Sequence, residues 1–379
     1  MVVASVSDFR ELARRRLPRL FFDYVDGGSY DEVTLGRNVA DLRDIALRQR
    51  VMIDVSQLSL GTNLFGQSYS MPVGLGPVGF AGMLARRGEA QAARAAAKAG
   101  VPFCLSTLGI CGVEEVAAAS EAPIWFQLYM IKDRGVMREL LARAERMRCA
   151  ALVFTLDLPV AGARYRDYRG GMSGRPSFGS EARRVWQGLT HPGWLWDVYL
   201  GGGPHEFGNL AGCVKDAKGF GRLAAWVAAN FDPTLTWEDL AWVRAHWPGP
   251  IIVKGILDPD DARAAIAAGV DGLVVSNHGG RQLDGALSSI RALPRIADAV
   301  EDRAIVLMDG GVRSGLDVLR ALASGAKACL LGRPWAYALG ARGQNGVEQA
   351  LEIIRAELTV AMALTGCTDV RKAGRALLA

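Results

Sequence analysis

Paired cysteines, clustered histidines, long apolar runs and blocks of like charge are all missing from this sequence of 379 residues. Each absence removes a class of protein. The six cysteines (Cys104, Cys111, Cys149, Cys213, Cys329, Cys367) show no C-x-x-C or other metal-ligand spacing. Scattered through a long chain, they read as reduced thiols of a cytosolic compartment, with no metal site expected. No apolar run reaches the roughly 18 to 20 residues that span a bilayer; the charge-free stretch Met71 to Ala85 is broken by Pro72, Gly74, Gly76, Pro77, Gly79 and Gly82. The N-terminus mixes acids and bases and has no apolar segment before a small-residue cleavage site, so no secretory signal is read and the mature chain is expected to begin near Met1. A net charge of +5 with no basic block longer than Arg14-Arg15-Arg16 argues against a nucleic-acid partner. A mildly basic surface still suits anionic substrates or lipid headgroups.

What is present points to a large core. Half of the residues are hydrophobic and 22% are charged, with 45 glycines and 15 prolines, a balance that excludes disorder. From Met71 onward short apolar or β-branched runs, at 71–77, 101–107, 123–129, 151–157, 250–256, 272–277, 304–311 and 328–333, alternate with amphipathic segments. Eight such units make a closed (β/α)8 TIM barrel, in the α/β class. Gly100, Gly269 and Gly325 sit where helices should stop, and Asp133 and Ser314 where they should start. The expected organisation is a single domain over residues 1–379, with an N-terminal helical extension at 1–70, the barrel at 71–366, and a long insertion after strand 4 at 158–235. That insertion carries four of the nine tryptophans (Trp186, Trp194, Trp196, Trp226) and nine Lys/Arg against six Asp/Glu. It is too long for a strand-to-helix connection without a task of its own, and reads as a lid or a docking segment.

In a parallel barrel, chemistry collects at the C-terminal ends of the strands. There the sequence places Pro77 and Gly79, Ser106, Gln127 and Tyr129, Thr155 and Asp157, Lys254, Asn277 and His278, Asp309 to Arg313, and Gly332 with Arg333. Any one of these could be a turn or core residue; their recurrence at one rim is the signal. The last two strands supply a phosphate site, because DGGVRSG (309–315) puts glycine amides and Arg313 at a helix start and Gly332-Arg333 adds a second set. The competing reading is that these glycines only make turns. Of four histidines, His278 alone lies at a strand end, in SNHGGRQLDG (276–285). Gly279 and Gly280 give substrate room, Arg281 offers a planar fork for a carboxylate, and Asp157 can hold the imidazole. The bland alternative, a helix-capping histidine beside a surface arginine, leaves the coincidence of glycines and Asp157 unaccounted for.

These residues resemble the FMN-dependent L-2-hydroxy acid dehydrogenases and oxidases. SNHGGRQLDG, VKGI around Lys254, FQLY, TLD, GARYRD, DGGVRSGLDV and LLGR carry the likeness, with FFDYVDGGSYDEVTLGRN (21–38) near the N-terminus. THPGWLWDV, NFDPTLTWEDL and VKGILDPDDA are most similar to the respiratory, lactate-oxidising branch. The resemblance implies FMN held by Pro77, Val78 and Gly79, by Ser106, Gln127 and Thr155, by Lys254 at the electron-rich edge of the flavin, and by Asp309, Gly310, Gly311, Arg313, Gly332 and Arg333 at its phosphate. It implies substrate carboxylate on Arg281 and Tyr24, Arg164 closing over it, Tyr129 at the hydroxyl, His278 taking a proton and Asp157 stabilising the imidazolium. Hydride and carbanion routes both remain open, with hydride loss coupled to His278 on the hydroxyl the favoured one.

The activity so implied is oxidation of L-lactate to pyruvate, with electrons passed to a membrane quinone or respiratory chain. Its partners are a small 2-hydroxy acid, the acceptor, a peripheral contact with the cytoplasmic face of the inner membrane, and a homo-oligomer; nucleic acid is not among them. Gly79, where oxidases of the family often have alanine, keeps mandelate- or glycolate-type dehydrogenase and oxidase activities in view. A phosphate-binding aldolase or isomerase using Lys254 as a Schiff base, and a non-catalytic membrane-docking barrel, are the rivals from other classes. For docking, Trp186, Trp194 and Trp196 would enter the interface while Arg183, Arg184, Lys215 and Lys218 meet anionic headgroups.

Overall fold

The computed structural model describes residues 1–172, 178–214, 225–227 and 229–379, with only the backbone described for 178–181, 183 and 184. Eight parallel strands form one sheet, β3 (Val73–Leu75), β4 (Cys104–Ser106), β5 (Trp125–Tyr129), β6 (Ala151–Thr155), β7 (Ile251–Ile256), β8 (Gly272–Val275), β9 (Ile305–Met308) and β10 (Ala328–Leu331). β3 pairs with β10, the order then runs down through β9 to β4, and a parallel bridge between Leu75 and Phe103 closes the ring. This is the TIM barrel expected from the alternation. Its helices start and stop where the sequence marks them. Asp133 Oδ1 accepts from the amides of Gly135 and Val136 at 2.9 and 3.1 Å, and Ser314 Oγ accepts from Asp317 N at 3.1 Å. Gly100, Gly269 and Gly325 all adopt positive φ at helix ends.

The period-2 alternation of the strands sorts their side chains into two cores. Trp125, Ala151, Val153, Ile252, Val274, Leu307 and Leu330 fill the barrel interior as one cluster. Their neighbours Phe126, Leu152, Phe154, Val253, Leu273 and Met308 belong to the outer core with the helices.

Residues 1–70, expected as helices, contain three of them (Val6–Arg16, Arg19–Asp26, Val33–Arg43) and then an antiparallel hairpin, β1 (Thr62–Leu64) with β2 (Gln67–Tyr69). The turn is Phe65-Gly66, both at positive φ, the geometry that lets a two-residue loop follow the strand twist. The hairpin plugs the barrel floor. Phe65 meets Trp125 edge-on at 5.6 Å between ring centroids, and the Trp125 Nε1–H donates to Tyr69 Oη at 3.2 Å. A side chain at Gly272 would collide with the Phe65 ring, its Cβ falling 2.6 Å from Cζ.

In the insertion the described residues form the helices Tyr165–Gly170, Phe178–Leu189 and Pro192–Trp194, then a π-helical turn Leu195–Leu200. Trp186 and Trp196 are 66% and 75% exposed. Trp194, expected beside them at a membrane surface, is instead buried: its indole donates to Met83 O at 2.8 Å and its ring lies 5.1 Å from Phe21. Two residues apart on a helix is about 200° of rotation, so Trp194 and Trp196 face opposite ways. Lys215 and Lys218, and the side chains of Arg183 and Arg184, lie outside the described residues.

Candidate active site

The C-terminal ends of the strands surround a cavity of about 240 Å³. Of the residues the sequence nominated, Tyr24, Pro77, Val78, Gly79, Tyr129, Thr155, Arg164, Lys254, His278, Arg281, Asp309, Gly310, Gly311, Arg313, Gly332 and Arg333 line it. Three do not reach the wall. Ser106 and Gln127 are buried behind it, with Ser106 Oγ donating to Gln127 Oε1 at 3.2 Å and Gln127 Nε2 donating to Thr155 Oγ1 at 3.0 Å. Asp157 stands behind His278, and its Oδ1 lies 2.9 Å from His278 Nδ1.

His278 is held in an unusual backbone. It has φ +58°, followed by Gly279 at +67° and Gly280 at +73°, and a non-glycine residue in this region costs about 1–3 kcal/mol. The loop is pinned by His278 N donating to Ser276 Oγ at 3.0 Å and Gly280 N donating to Asn277 Oδ1 at 3.0 Å. Burial pushes the imidazole below its usual pKa, against the pull of Asp157, so the ring is neutral near pH 7 with Asp157 bonded to one nitrogen. Burial alone would raise Asp157, but His278 and Lys254 outweigh it and keep this carboxyl below the usual carboxylate range. A neutral imidazole with its far nitrogen toward a cavity and an anion behind it can accept a proton.

Lys254 supplies a buried cation. Its Nζ sits 3.0 Å from Asp309 Oδ2 and donates to Ser276 Oγ at 2.9 Å. Burial opposes the ammonium, yet Asp309 and Asp157 hold its pKa above the ordinary lysine value. Ser276, which no sequence argument singled out, therefore joins the lysine to the histidine loop.

Four arginines line the same space, Arg164, Arg281, Arg313 and Arg333. Arg281 Nη1 donates to the carbonyls of Tyr24 and Gly27 at 2.6 and 2.9 Å, and its guanidinium carbon lies 4.8 Å from the Tyr24 ring centroid. Burial lowers its pKa to about 10, still well above neutral pH. Arg164 reaches Asp167 at 3.5 Å. Arg333, expected at a phosphate, gives hydrogen bonds to three carbonyls, from Nε to Val25, from Nη1 to Gly279 and from Nη2 to Gly27, each at 2.8 to 2.9 Å. It ties the N-terminal segment to the histidine loop. That segment is further clamped at Asp26, which accepts from Arg10, Arg166 and the Tyr337 hydroxyl.

Most of the remaining wall is apolar and includes Phe80, Leu108, Leu158, Ala161, Phe207, Val227 and Phe231. Sequence reasoning missed all seven, since an apolar residue in a loop carries no signal of what it faces. Asn38 was also missed. Its amide exchanges two hydrogen bonds of 2.8 Å with the buried amide of Asn277 across 239 residues.

The residues suit a flavin with a phosphate tail. Asp309 lines the cavity with a buried Oδ1 that has no partner among the described residues, which a polyhydroxyl chain can satisfy. Gly310 and Gly311, each at φ +90°, and Gly332 present bare backbone beside Arg313. Among the described residues no group of His, Cys, Asp and Glu could hold a metal.

The family model described as FMN-dependent dehydrogenase matches residues 13–379. The L-lactate dehydrogenase of Caulobacter vibrioides (strain NA1000 / CB15N) is 59% identical over 379 residues, covering 100% of this chain and 98% of its own. The L-lactate dehydrogenase of Xanthomonas campestris pv. campestris (strain 8004) is 57% identical over 370 residues, 98% of this chain and 95% of its own. Among solved structures, the monotopic membrane protein (S)-mandelate dehydrogenase superposes with a TM-score of 0.94 at 35% identity, covering 100% of both chains. A mandelate oxidase with benzoyl-formic acid superposes at 0.83 and 38% identity, covering 98% of this chain and 97% of its own.

Proposed function

The chain belongs to the FMN-dependent dehydrogenase family, and from that premise we propose that it oxidises L-lactate to pyruvate and passes the electrons to a lipid-soluble quinone. The observation that carries the reading is the His278–Asp157 pair at 2.9 Å, whose His278 lines one cavity with Lys254, Arg164 and Arg281. Relatives named L-lactate dehydrogenase at 56–59% identity over nearly the whole chain support lactate as substrate.

FMN would be held by the backbone of Pro77 to Gly79, by Thr155 and Lys254, and by Asp309 to Arg313 with Gly332. Ser106 and Gln127 would act from behind by fixing Thr155, and Arg333 by fixing the chain around the cavity. Bound there, FMN supplies the two-electron acceptor that no protein side chain provides. The substrate's carboxylate goes to Arg281. Because Nη1 is spent on two carbonyls, the guanidinium plane is fixed and Nε and Nη2 remain for a bidentate contact. Tyr24 and Arg164 complete that end, and Tyr129 meets the hydroxyl. His278 takes the hydroxyl proton, and Asp157 stabilises the imidazolium that results. A hydroxyl is a weak acid, so its proton leaves readily only as the Cα hydride departs with it, which favours hydride transfer over a carbanion. Lys254 offers fixed positive charge where negative charge develops on reduction.

The purified protein should be yellow and should bleach anaerobically on adding L-lactate. Retention of the colour would overturn the reading. A Cβ on Gly79 would lie 3.2 Å from Tyr24 Oη and 3.3 Å from Leu108 Cβ, so the glycine lets these side chains close on the backbone there; the likeness to (S)-mandelate dehydrogenase, at a TM-score of 0.94, favours a second reading with a bulkier 2-hydroxy acid such as (S)-mandelate. The ratio of kcat/KM for the two acids decides between them.

No helix of the described residues is long and apolar enough to cross a membrane, and one solved relative is a monotopic membrane protein. We propose peripheral docking to the cytoplasmic face of the inner membrane through Trp186, Leu189, Trp196 and Leu200, all of them exposed. Trp194, Phe207 and Asn209 are buried against the barrel, so replacing the whole insertion would strip the cavity wall. The cleaner test is Trp186→Ser with Trp196→Ser, which should release the protein from membrane vesicles while lactate still bleaches the flavin. Sedimentation unchanged from the parent would make this face an ordinary surface.

A further inference from the structure

The Asp157–His278 hydrogen bond joins two loops 121 residues apart, one after β6 and one after β8. Such a bond keeps its geometry only if both loops are fixed. On the His278 side the fixing is plain, since Ser276 and Asn277 pin the loop from within. On the Asp157 side the carboxylate gives little help, for its Oδ2 is buried with no partner among the described residues. The grip comes from the other loop. Gln282 Nε2 donates to Asp157 O at 2.7 Å and to Val160 O at 3.0 Å, while its Oε1 accepts from Gly162 N at 3.1 Å. One side-chain amide thus fastens three backbone groups of residues 157–162 to the loop that carries His278.

The loops could not sit this close with a larger residue at 162. A Cβ on Gly162 would lie 2.4 Å from Arg281 O and 3.1 Å from Gln282 Cα. The same contact continues toward the substrate arginine, because Tyr30 N donates to Ala163 O at 2.7 Å and Arg164 Nε donates to Arg281 O at 3.4 Å. Glutamine is the residue type for this task. It carries two donors and an acceptor on one planar group, where glutamate would turn an acceptor toward two carbonyls and leucine would offer nothing.

We propose that Gln282 is a positioning residue of the oxidation, holding the Asp157 loop so that the carboxylate stays on His278 Nδ1. The proposal rests on the reading of His278 as base and Asp157 as its partner. Misplacement of reacting groups by about 1 Å costs up to about 100-fold. Gln282→Leu should accordingly lower kcat with L-lactate about 10- to 100-fold, with KM changed less than about threefold, FMN fully bound and the thermal midpoint little altered. Because Asp157 raises the pKa of His278, a looser Asp157 should also shift the acid limb of the kcat/KM profile to lower pH.

Two further variants keep the outcome decisive. Gln282→Glu retains the acceptor for Gly162 but sets a carboxylate against the carbonyls of Asp157 and Val160, and should show the same loss even if the leucine variant folds poorly. In an Asp157→Ala background, Gln282→Leu should cost less than about threefold, since two residues on one path do not add. Wild-type turnover with an unmoved acid limb, a fully additive double mutant, or loss of FMN and stability in step with activity in both variants would each overturn the proposal. His278→Gln separates it from the reading beneath it: rapid flavin reduction in that variant would remove the base itself, whereas slow reduction there beside a normal Gln282→Leu removes only Gln282.

Discussion

The two ends of the barrel interior are built from the same strands and differ in almost everything else. Toward the floor the inward residues are Trp125, Ala151, Val153, Ile252, Val274 and Leu307, packed without polar atoms except one indole and sealed by the Phe65 hairpin. One or two steps further along, the inward residues are Gln127, Tyr129, Thr155, Lys254 and Asp309, and the chain beyond β8 bends through His278 at positive φ. The floor gains from burial, and every group there is satisfied by packing. The rim carries a buried lysine, four arginines, strained backbone and two carboxylate oxygens, Asp157 Oδ2 and Asp309 Oδ1, with no partner among the described residues. Stability is thus concentrated at one end so that the other can hold charges and strain that a minimal fold would avoid.

That contrast can be broken from either end, and the rim should break first in activity alone. His278→Gln should leave a folded, yellow protein whose flavin is reduced by L-lactate at least about a thousandfold more slowly, the range expected of a general base. Rapid anaerobic mixing measures it. At the floor, Trp125→Ala should cost about 3–5 kcal/mol of stability, read by denaturant or thermal unfolding, while the kcat of the remaining folded enzyme changes little. A large fall in kcat there would mean the two ends are not independent. Back at the rim, Arg281→Lys keeps the charge and loses the fork, and should lower kcat/KM about 10- to 100-fold, from the loss of charged hydrogen bonds worth about 1.5–3 kcal/mol. An unchanged KM for lactate would place the carboxylate elsewhere. The smallest effect belongs to the floor. Tyr69→Phe removes only the acceptor of the Trp125 indole and should cost about 1 kcal/mol in an unfolding titration, with no change in flavin reduction.

The rim was far more legible in the sequence than what supports it. Eight strands could be counted because each is buried on both faces and so reads as a short apolar run between glycines. His278 stood out because histidine is rare here and flanked by glycines at a strand end. The floor hairpin escaped because three-residue strands are too short to show alternation, although Phe65-Gly66 was a readable turn. Ser276, Asn38 and Gln282 escaped for another reason: their roles lie in contacts with Lys254, Asn277 and Asp157, at separations of 22, 239 and 125 residues that no local pattern encodes. Trp194 and Trp196 show the limit from the other side, since their spacing alone required opposite faces while composition grouped them together.

In the proposed oxidation a neutral His278, backed by Asp157, takes the hydroxyl proton of L-lactate. The most direct test of that role is the rate of anaerobic flavin reduction by L-lactate as a function of pH. His278 must be unprotonated to accept, and its pKa is lowered from the ordinary 6.5 by burial. The second-order rate should therefore rise with pH through a single ionisation centred below 6.5, and this step should vanish in His278→Gln. A midpoint above that value, a rate indifferent to pH, or a flavin that L-lactate does not bleach would contradict it.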